Sequence, residues 1–341
     1  MESVAREAGV SASTVSRALR SDPRISPLTR KKVEEVVARM GYRPNPLVSA
    51  LMTQLRDGHP PEAKCNLGWL DFFKDPEEWN RDPVHRAFYT GAQQRATALG
   101  YALSRIPSTG RTSDRLTRVL RNRGISGLLV PNFENARSLA SCIPLPLDQF
   151  TIVGVGTRFE QPFLHYSSDD QYECSRLAVQ QLWALGFRRI GYVGEARIEA
   201  IVNGRFLAGY NTTLQTELGS TALPPLLDSH ESSIMGWLKS TRAEVIVTVS
   251  RHVLRLLRDN RLRVPEDISL AHLNVDVATE DGAIRPGDIA GVRQDNQGVG
   301  ANAVELLVSL LYHNERGVPL HPRGVQVQGA WINGATVRPR R

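Results

Sequence analysis

The first twenty residues, MESVAREAGVSASTVSRALR, carry the side chains best suited to reading another molecule. Ala12, Ser13, Thr14, Ser16 and Arg17 fall on or near one face of a short helix; Val15, Ala18 and Leu19 form the apolar stripe of the other. Small donors and acceptors backed by an arginine suit a helix lying in a DNA major groove, where base edges offer acceptors and donors at close range. The elements that must position them can be read from the spacing. Val4, Ala5 and Ala8 mark a preceding helix, which Gly9 ends because glycine tolerates the left-handed backbone of a helix C-terminus. Val10 is a buried plug, and Ser11 is an N-cap whose hydroxyl accepts a backbone N–H. A solvated αα-hairpin would show the same short pattern, so the rest of the chain decides between the two.

A chain of 341 residues supports roughly two or three domains and a sizeable core. The net charge of +7 is uneven: residues 1–57 hold ten Lys/Arg against six Asp/Glu, leaving the remainder close to neutral. A small basic domain on a near-neutral large one points to a polyanion partner for the small one. No run is long and apolar enough for a membrane helix, and no apolar signal segment opens the chain, so a cytoplasmic protein with no membrane association is expected. Cys65, Cys142 and Cys174 are far apart, with no CxxC, and the eight histidines form no HExxH. Neither a disulfide framework nor a metal site nor a cofactor is expected.

A third helix is predicted from Pro27 to Met40, with Ser26 as N-cap and Val33, Val36, Val37 and Met40 as its stripe. Arg30, Lys31 and Lys32 crowd its first turns, against the helix dipole, which makes sense beside phosphates. The stiff Tyr42-Arg43-Pro44-Asn45-Pro46 leads to a short helix over 47–55, too short to be stable alone in water. A Pro/Gly-bearing linker follows. From residue 66, apolar strands alternate with helices: strands at 67–72, 101–106, 127–131, 150–156, 189–194, 245–249 and 268–273, and helices at 85–99, 113–123, 171–185, 205–218, 251–260 and 296–312. That alternation predicts parallel sheets covered by helices. So many strands predict two lobes with a ligand cleft at the strands' carboxyl ends.

VAREAGVSASTVSRAL, then Ile25-Ser26 with Thr29-Arg30-Lys31-Lys32-Val33, Gly41-Tyr42-Arg43-Pro44-Asn45, and Val264-Pro265-Glu266-Asp267-Ile268-Ser269 occur in that order. Together they resemble the lactose/galactose repressor family of bacterial transcription regulators (LacI/GalR-type), over nearly the whole chain. The resemblance implies an N-terminal all-α helix-turn-helix domain (1–45), a hinge helix and linker (46–63), and an α/β two-lobed periplasmic-binding-protein-like (type I) effector domain with parallel sheets (64–341). The N-lobe is expected over about 64–157 plus 290–320, and the C-lobe over about 158–289 plus 321–341. It also implies a homodimer on a palindromic double-stranded operator, a small carbohydrate-like effector, no enzymatic activity, and a start slightly upstream of Met1.

Carried onto this chain, the resemblance places Ala12, Ser13 and Arg17 against bases. Ser11, Thr14, Ser16, Ser26, Thr29 and Asn45 touch phosphates or cap helices, Arg20 adds to operator preference, and Leu51 wedges a central base step. For the effector it points to Phe72, Arg205, Trp237, Asn274 and Asp276, with Phe73 and Trp79 extending an aromatic wall. Three polar positions depart from the family: Val249-Ser250 replaces an Asn-Asp pair, Asn274-Val275 replaces Asp-Asp, and Phe206 stands where an arginine is usual. Ser250 is expected to cap the next helix. These departures keep open an alternative in which the lobes bind a protein partner or serve only for dimerisation. Enzyme signals are weak. Gly298-Val299-Gly300 imitates a dinucleotide fingerprint but lacks its acid and its following βαβ unit, and reads as close helix packing. Asp169 and Asp170 precede a helix and read as stabilisers of its N-terminus.

Overall fold

A computed structural model describes residues 2–18, 24–40, 65–73, 79–80, 82–110, 112–131, 145–159, 161–228, 230–250, 252–276 and 287–340. The N-terminal unit is three helices, α1 (Glu2–Ala8), α2 (Ala12–Ala18) and α3 (Pro27–Arg39). Val4, Ala8, Val15, Ala18, Val33 and Val36 interlock into its small core. Gly9 has φ +64, and α1 closes with paired bonds from Gly9 N–H to Arg6 O (3.2 Å) and Val10 N–H to Ala5 O (3.0 Å). That double bond is the Schellman ending, and it is what turns the chain into α2. The expected short helix over 47–55 and the linker after it lie outside the described residues.

The remainder builds two sheets. The first has the order β10-β5-β4-β3-β1-β2 and is parallel throughout: β1 (Cys65–Asp71), β2 (Tyr101–Pro107), β3 (Gly127–Pro131), β4 (Thr151–Val155), β5 (His165–Asp169) and β10 (Gly324–Val327). The second has the order β11-β9-β8-β7-β6: β6 (Ile190–Val193), β7 (Val245–Thr248), β8 (Ser269–His272), β9 (Ala290–Arg293) and β11 (Ala330–Ile332), with β11 alone antiparallel.

Helices cover both faces. On the first sheet, α4 (Pro83–Ala98) and α11 (Asn296–Tyr312) pack over Leu67, Trp69, Leu129 and Val153, while α5 (Ser113–Asn122) covers the other face through Leu116 and Leu120. The α4–α11 contact is backbone on backbone. A Cβ on Gly300 would lie 1.9 Å from Phe88 O, and one on Gly91 would lie 1.9 Å from Gln297 O. The nucleotide-like Gly298-Val299-Gly300 is therefore a packing device, because only glycine lets two helices approach this closely. On the second sheet, α6 (Gln171–Ala184) and α8 (Arg205–Thr212) pack on one face. On the other lie α9 (Glu231–Thr241) and α10 (Val253–Asp259). Short α7 (Ala196–Ile201) precedes α8, which widens into a single π turn over Thr213–Glu217 rather than running on as α-helix to 218.

The lobe boundaries read from the sequence need correction. His165 of β5 pairs in register with Val153 of β4, and Gly324 of β10 pairs with Tyr166. Both strands therefore complete the first lobe, although 158–289 and 321–341 were assigned to the second. Ala290 of β9 pairs with Ala271 of β8, so 290–293 belongs to the second lobe, not the first. The chain changes lobe after β5, after β9 and after β10; α6 and α11 start at the first two crossings, and β10 leads directly to β11.

Candidate nucleic-acid interface and interlobe site

In the three-helix unit, Ser11 caps α2: Thr14 N–H donates to its Oγ at 3.1 Å, and the two hydroxyls share a 2.8 Å bond. Ser26 repeats the arrangement at α3, with Thr29 N–H to Ser26 Oγ at 3.2 Å and a 2.8 Å bond between hydroxyls. The same Ser-x-x-Thr signature thus starts both helices, and each cap satisfies one of the orphan donors of a helix N-terminus. Arg17 is exposed near the end of α2, and Lys31 and Lys32 are exposed on α3. Glu7 of α1 is engaged by Arg39 at 2.8 Å. Ala12, Ser13 and Ser16 lie on α2 between the cap and Arg17, whereas Arg20, Asn45 and Leu51 lie outside the described residues.

The two lobes meet at the carboxyl ends of their strands. Thr157, just past β4, donates its hydroxyl to Ile201 O of α7 at 2.8 Å, a direct bond between lobes. Arg205, at the start of α8, reaches Asp170 at 3.6 Å. On the second lobe, parallel neighbours β7 and β8 end alike. Ser250 N–H donates to Thr248 Oγ1 (3.0 Å), and Asn274 N–H donates to His272 Nδ1 (3.0 Å). These turns set Ser250 and Asn274 side by side beyond the registered pair Thr248–His272. Asn274 Nδ2 donates to Gln294 Oε1 at 2.8 Å, and Gln294 Nε2 donates to Leu273 O at 3.0 Å.

Four buried side-chain oxygens at these strand ends make no hydrogen bond: Ser250 Oγ, Asn274 Oδ1, Asn296 Oδ1 and Asp169 Oδ1. Ser167 Oγ donates to Val299 O at 2.9 Å, which ties β5 to the first turn of α11 and so brings Asp169 near Asn296. Burial and the charge of Asp295 push the Asp169 carboxyl up to about 7, against the lowering effect of a backbone N–H. Buried polar atoms without partners are costly, and their concentration at one place is a mark of a binding surface.

The structure treats the expected effector residues unequally. Asn274 is buried and keeps an unused acceptor. Arg205 is at the lobe junction. Asp276 is half exposed and bonded to Arg293 at 3.2 Å. Phe72 is half-buried against the core side of the first sheet. Trp237 is a correction. It sits in the core between β6 and α9, where a Cβ on Gly191 would meet its ring at 2.2 Å, and its indole N–H donates to Pro224 O at 2.7 Å. Gly191 stands two residues before the carboxyl end of β6, so the ring is below the cleft rather than on its wall. Trp79 is buried too, with Arg105 stacked 3.8 Å over its ring and Asp71 bonded to Arg105 at 2.5 Å. Ser250 does not cap α10, whose N-cap residue is His252. Of the two aspartates read as helix stabilisers, Asp170 caps α6 through Glu173 N–H (3.2 Å), while Asp169 ends β5. Gln294 and Asn296 escaped the sequence reading, and Asp169 was read only as a helix stabiliser; for the first two, the polar residues directly after a short strand were the available signal.

Comparison with known proteins matches residues 1–45 to the helix-turn-helix model of bacterial regulatory proteins, lacI family, and residues 179–337 to a periplasmic binding protein-like domain. HTH-type transcriptional regulator RegA of Clostridium saccharobutylicum is 26% identical over 333 residues, covering 94% of each chain. The solved structure of transcriptional regulator CelR with cellobiose aligns over 98% of both chains with a TM-score of 0.61 and 20% identity. The lac repressor dimer bound to operator and an anti-inducer aligns over 98% of both chains with a TM-score of 0.57 and 19% identity. Among the described residues, no helix is long and apolar enough to cross a membrane.

Proposed function

The chain belongs to the lacI family of bacterial regulatory proteins, and from that premise we propose that this DNA-binding transcriptional regulator is a repressor whose operator affinity is set by a small carbohydrate-like effector bound between the lobes. It works as a homodimer. Two copies of α2 occupy successive major grooves of a palindrome, with Ala12, Ser13 and Arg17 towards bases and Ser11, Thr14, Ser16, Ser26 and Thr29 towards phosphates. Arg20 and Asn45 add contacts on either side of this core, and Leu51 wedges the central step. Effector binding changes the fit of the lobes and so the spacing of the two reading units, a coupling free energy between distinct sites.

One observation carries this reading. A single chain joins a helix-turn-helix unit with an exposed Arg17 to paired parallel sheets whose adjoining ends carry buried, unpartnered oxygens. The test is selection of bound sequences from random duplex DNA with the full chain, without ligand. Enrichment of a palindrome with an easily kinked central step supports it. Enrichment of half-sites alone refutes the dimeric wedge, and no enrichment with any effector present refutes sequence-specific binding.

A further inference from the structure

The chain beyond the N-terminal unit is close to neutral, yet residues 113–123 hold four arginines, Arg115, Arg118, Arg121 and Arg123, against one acid, Asp114. All four are exposed. Leu116, Thr117 and Leu120 form the buried side of α5. At about 3.6 residues per turn, Arg115 and Arg118 therefore lie along the middle of its outer face, with Arg121 at the edge. Among the described residues, Arg115, Arg118 and Arg123 form no ion pair. Arg121 donates to Gln149 Oε1 at 2.5 Å, a neutral partner that holds the guanidinium in place and leaves its charge uncompensated. Attraction to the helix dipole accounts for Arg121 in the last turn, but not for Arg115 in the first.

The fold puts this charge at one end of the lobe. α5 returns from the carboxyl end of β2 to the amino end of β3, so its last turn lies at the amino ends of the first sheet's strands. Two contacts fix it there: Asn66, the second residue of β1, donates from Nδ2 to Arg123 O at 2.9 Å, and Gln149, the partner of Arg121, stands just before β4. β1 begins at Cys65, so the chain coming from the three-helix unit enters the lobe at this same end, opposite the carboxyl ends that face the second lobe. Among the described residues, the acids at this end are Asp148 and Glu315. The Glu315 carboxylate is taken by His165 Nε2 (2.7 Å) and Arg323 (2.8 Å), which leaves the arginines of α5 little competition from the chain's own anions. Duplex DNA carries about one negative charge per 1.7 Å of its axis, and exposed arginines beside the DNA-reading unit suit its phosphates.

We propose that the first lobe is itself a DNA-contacting surface, on which Arg118, Arg121 and Arg123 of the α5 end bind backbone phosphates and add sequence-independent affinity to the α2 contacts; the inference rests on the proposed operator binding. The test uses the full chain on the duplex it selects from random DNA. Affinity is measured across a salt series for the parent, for the triple variant Arg118→Gln/Arg121→Gln/Arg123→Gln, and for a charge-matched control in the second lobe, Lys239→Gln/Arg255→Gln/Arg258→Gln. Each phosphate contact contributes about 0.9 to the slope of log affinity against log salt. The slope should fall by at least about 1 and by up to about 3 in the α5 variant, with affinity at about 0.1 M salt down about tenfold or more. The selected sequence should stay the same, because phosphate contacts carry no base information. The double variant Arg118→Gln/Arg123→Gln keeps the Arg121–Gln149 bond and stands in should the triple variant melt below the parent. A smaller fall in slope, an equal fall in the control, or a changed sequence preference overturns the inference and leaves operator binding standing. A parent that selects no duplex overturns both.

Discussion

Replacing Asp169 by asparagine should make the protein more stable in neutral and alkaline solution. Asp169 is 4% exposed, its Oδ1 is unpartnered, and the charge of Asp295 acts on it. Burial comes first among the causes that lift its carboxyl from 3.8 to about 7. The folded chain therefore holds this proton more tightly than the unfolded chain does. The contribution to stability is fully present below pH 3.8, is lost progressively as pH rises towards about 7, and changes no further above that. At about 1.4 kcal/mol per unit, the full loss is about 4 kcal/mol, reduced by relaxation and water penetration to about 2–4 kcal/mol. Asparagine keeps the acceptor oxygen, cannot ionise, and offers its N–H2 to the neighbouring carboxylates. Urea unfolding of parent and variant across the pH range reads the difference directly. At pH 8 the variant should gain about 2–4 kcal/mol, and at pH 5 less than about 2 kcal/mol. A variant less stable than the parent at pH 8, or a gain that does not depend on pH, refutes the assignment of a strained carboxylate at this strand end.

Gly300→Val should unfold the first lobe or separate α4 from α11, since its Cβ meets Phe88 O at 1.9 Å; a near-parental melting temperature would contradict the backbone contact. Trp237→Ala should cost about 3–5 kcal/mol in unfolding measurements while leaving ligand affinity in the folded protein unchanged, as expected of a core residue and not of a cleft wall. Ser26→Ala should cost about 1 kcal/mol by removing the α3 cap, read as a lower unfolding midpoint of the three-helix unit. Arg17→Ala should lose about 1–3 kcal/mol of discrimination at one base position of the selected operator; a uniform loss across all sequences would mean that Arg17 touches phosphate instead.

The parts of the fold legible in the sequence are those whose periodicity and punctuation agree. Ser11 and Ser26, Gly9 and the valine stripes fixed α1 to α3 to within a residue or two, because the cap, the stripe and the stop all act locally. What escaped was set by distant partners. His165-Tyr166-Ser167-Ser168-Asp169 has no apolar alternation, yet it forms β5 because its polar groups are satisfied from elsewhere: His165 by Glu315 at 2.7 Å, Ser167 by Val299 O. β9 is Ala-Gly-Val-Arg, with Gly291 at φ +150 where any side chain would lie 2.0 Å from His272 O. Missing those two strands, together with β10, displaced all three lobe boundaries.

The same locality explains which site residues could be found. A DNA-reading helix draws its outer residues from one short stretch, so spacing alone nominates Ala12, Ser13, Thr14, Ser16 and Arg17, while Val15 turns into the core. The proposed interlobe site draws on Asp169 and on the stretch from Asn274 to Asn296, far apart in the chain, which only the chain crossings bring near one another. Phe206 shows how strongly that geometry filters candidates. It stands where a charged contact is usual in the resembled family, yet it is 5% exposed in the core with Tyr210, while Arg205, one position earlier, turns to Asp170. The cation of α8 is therefore Arg205, at the lobe junction, with its Nε buried and making no hydrogen bond.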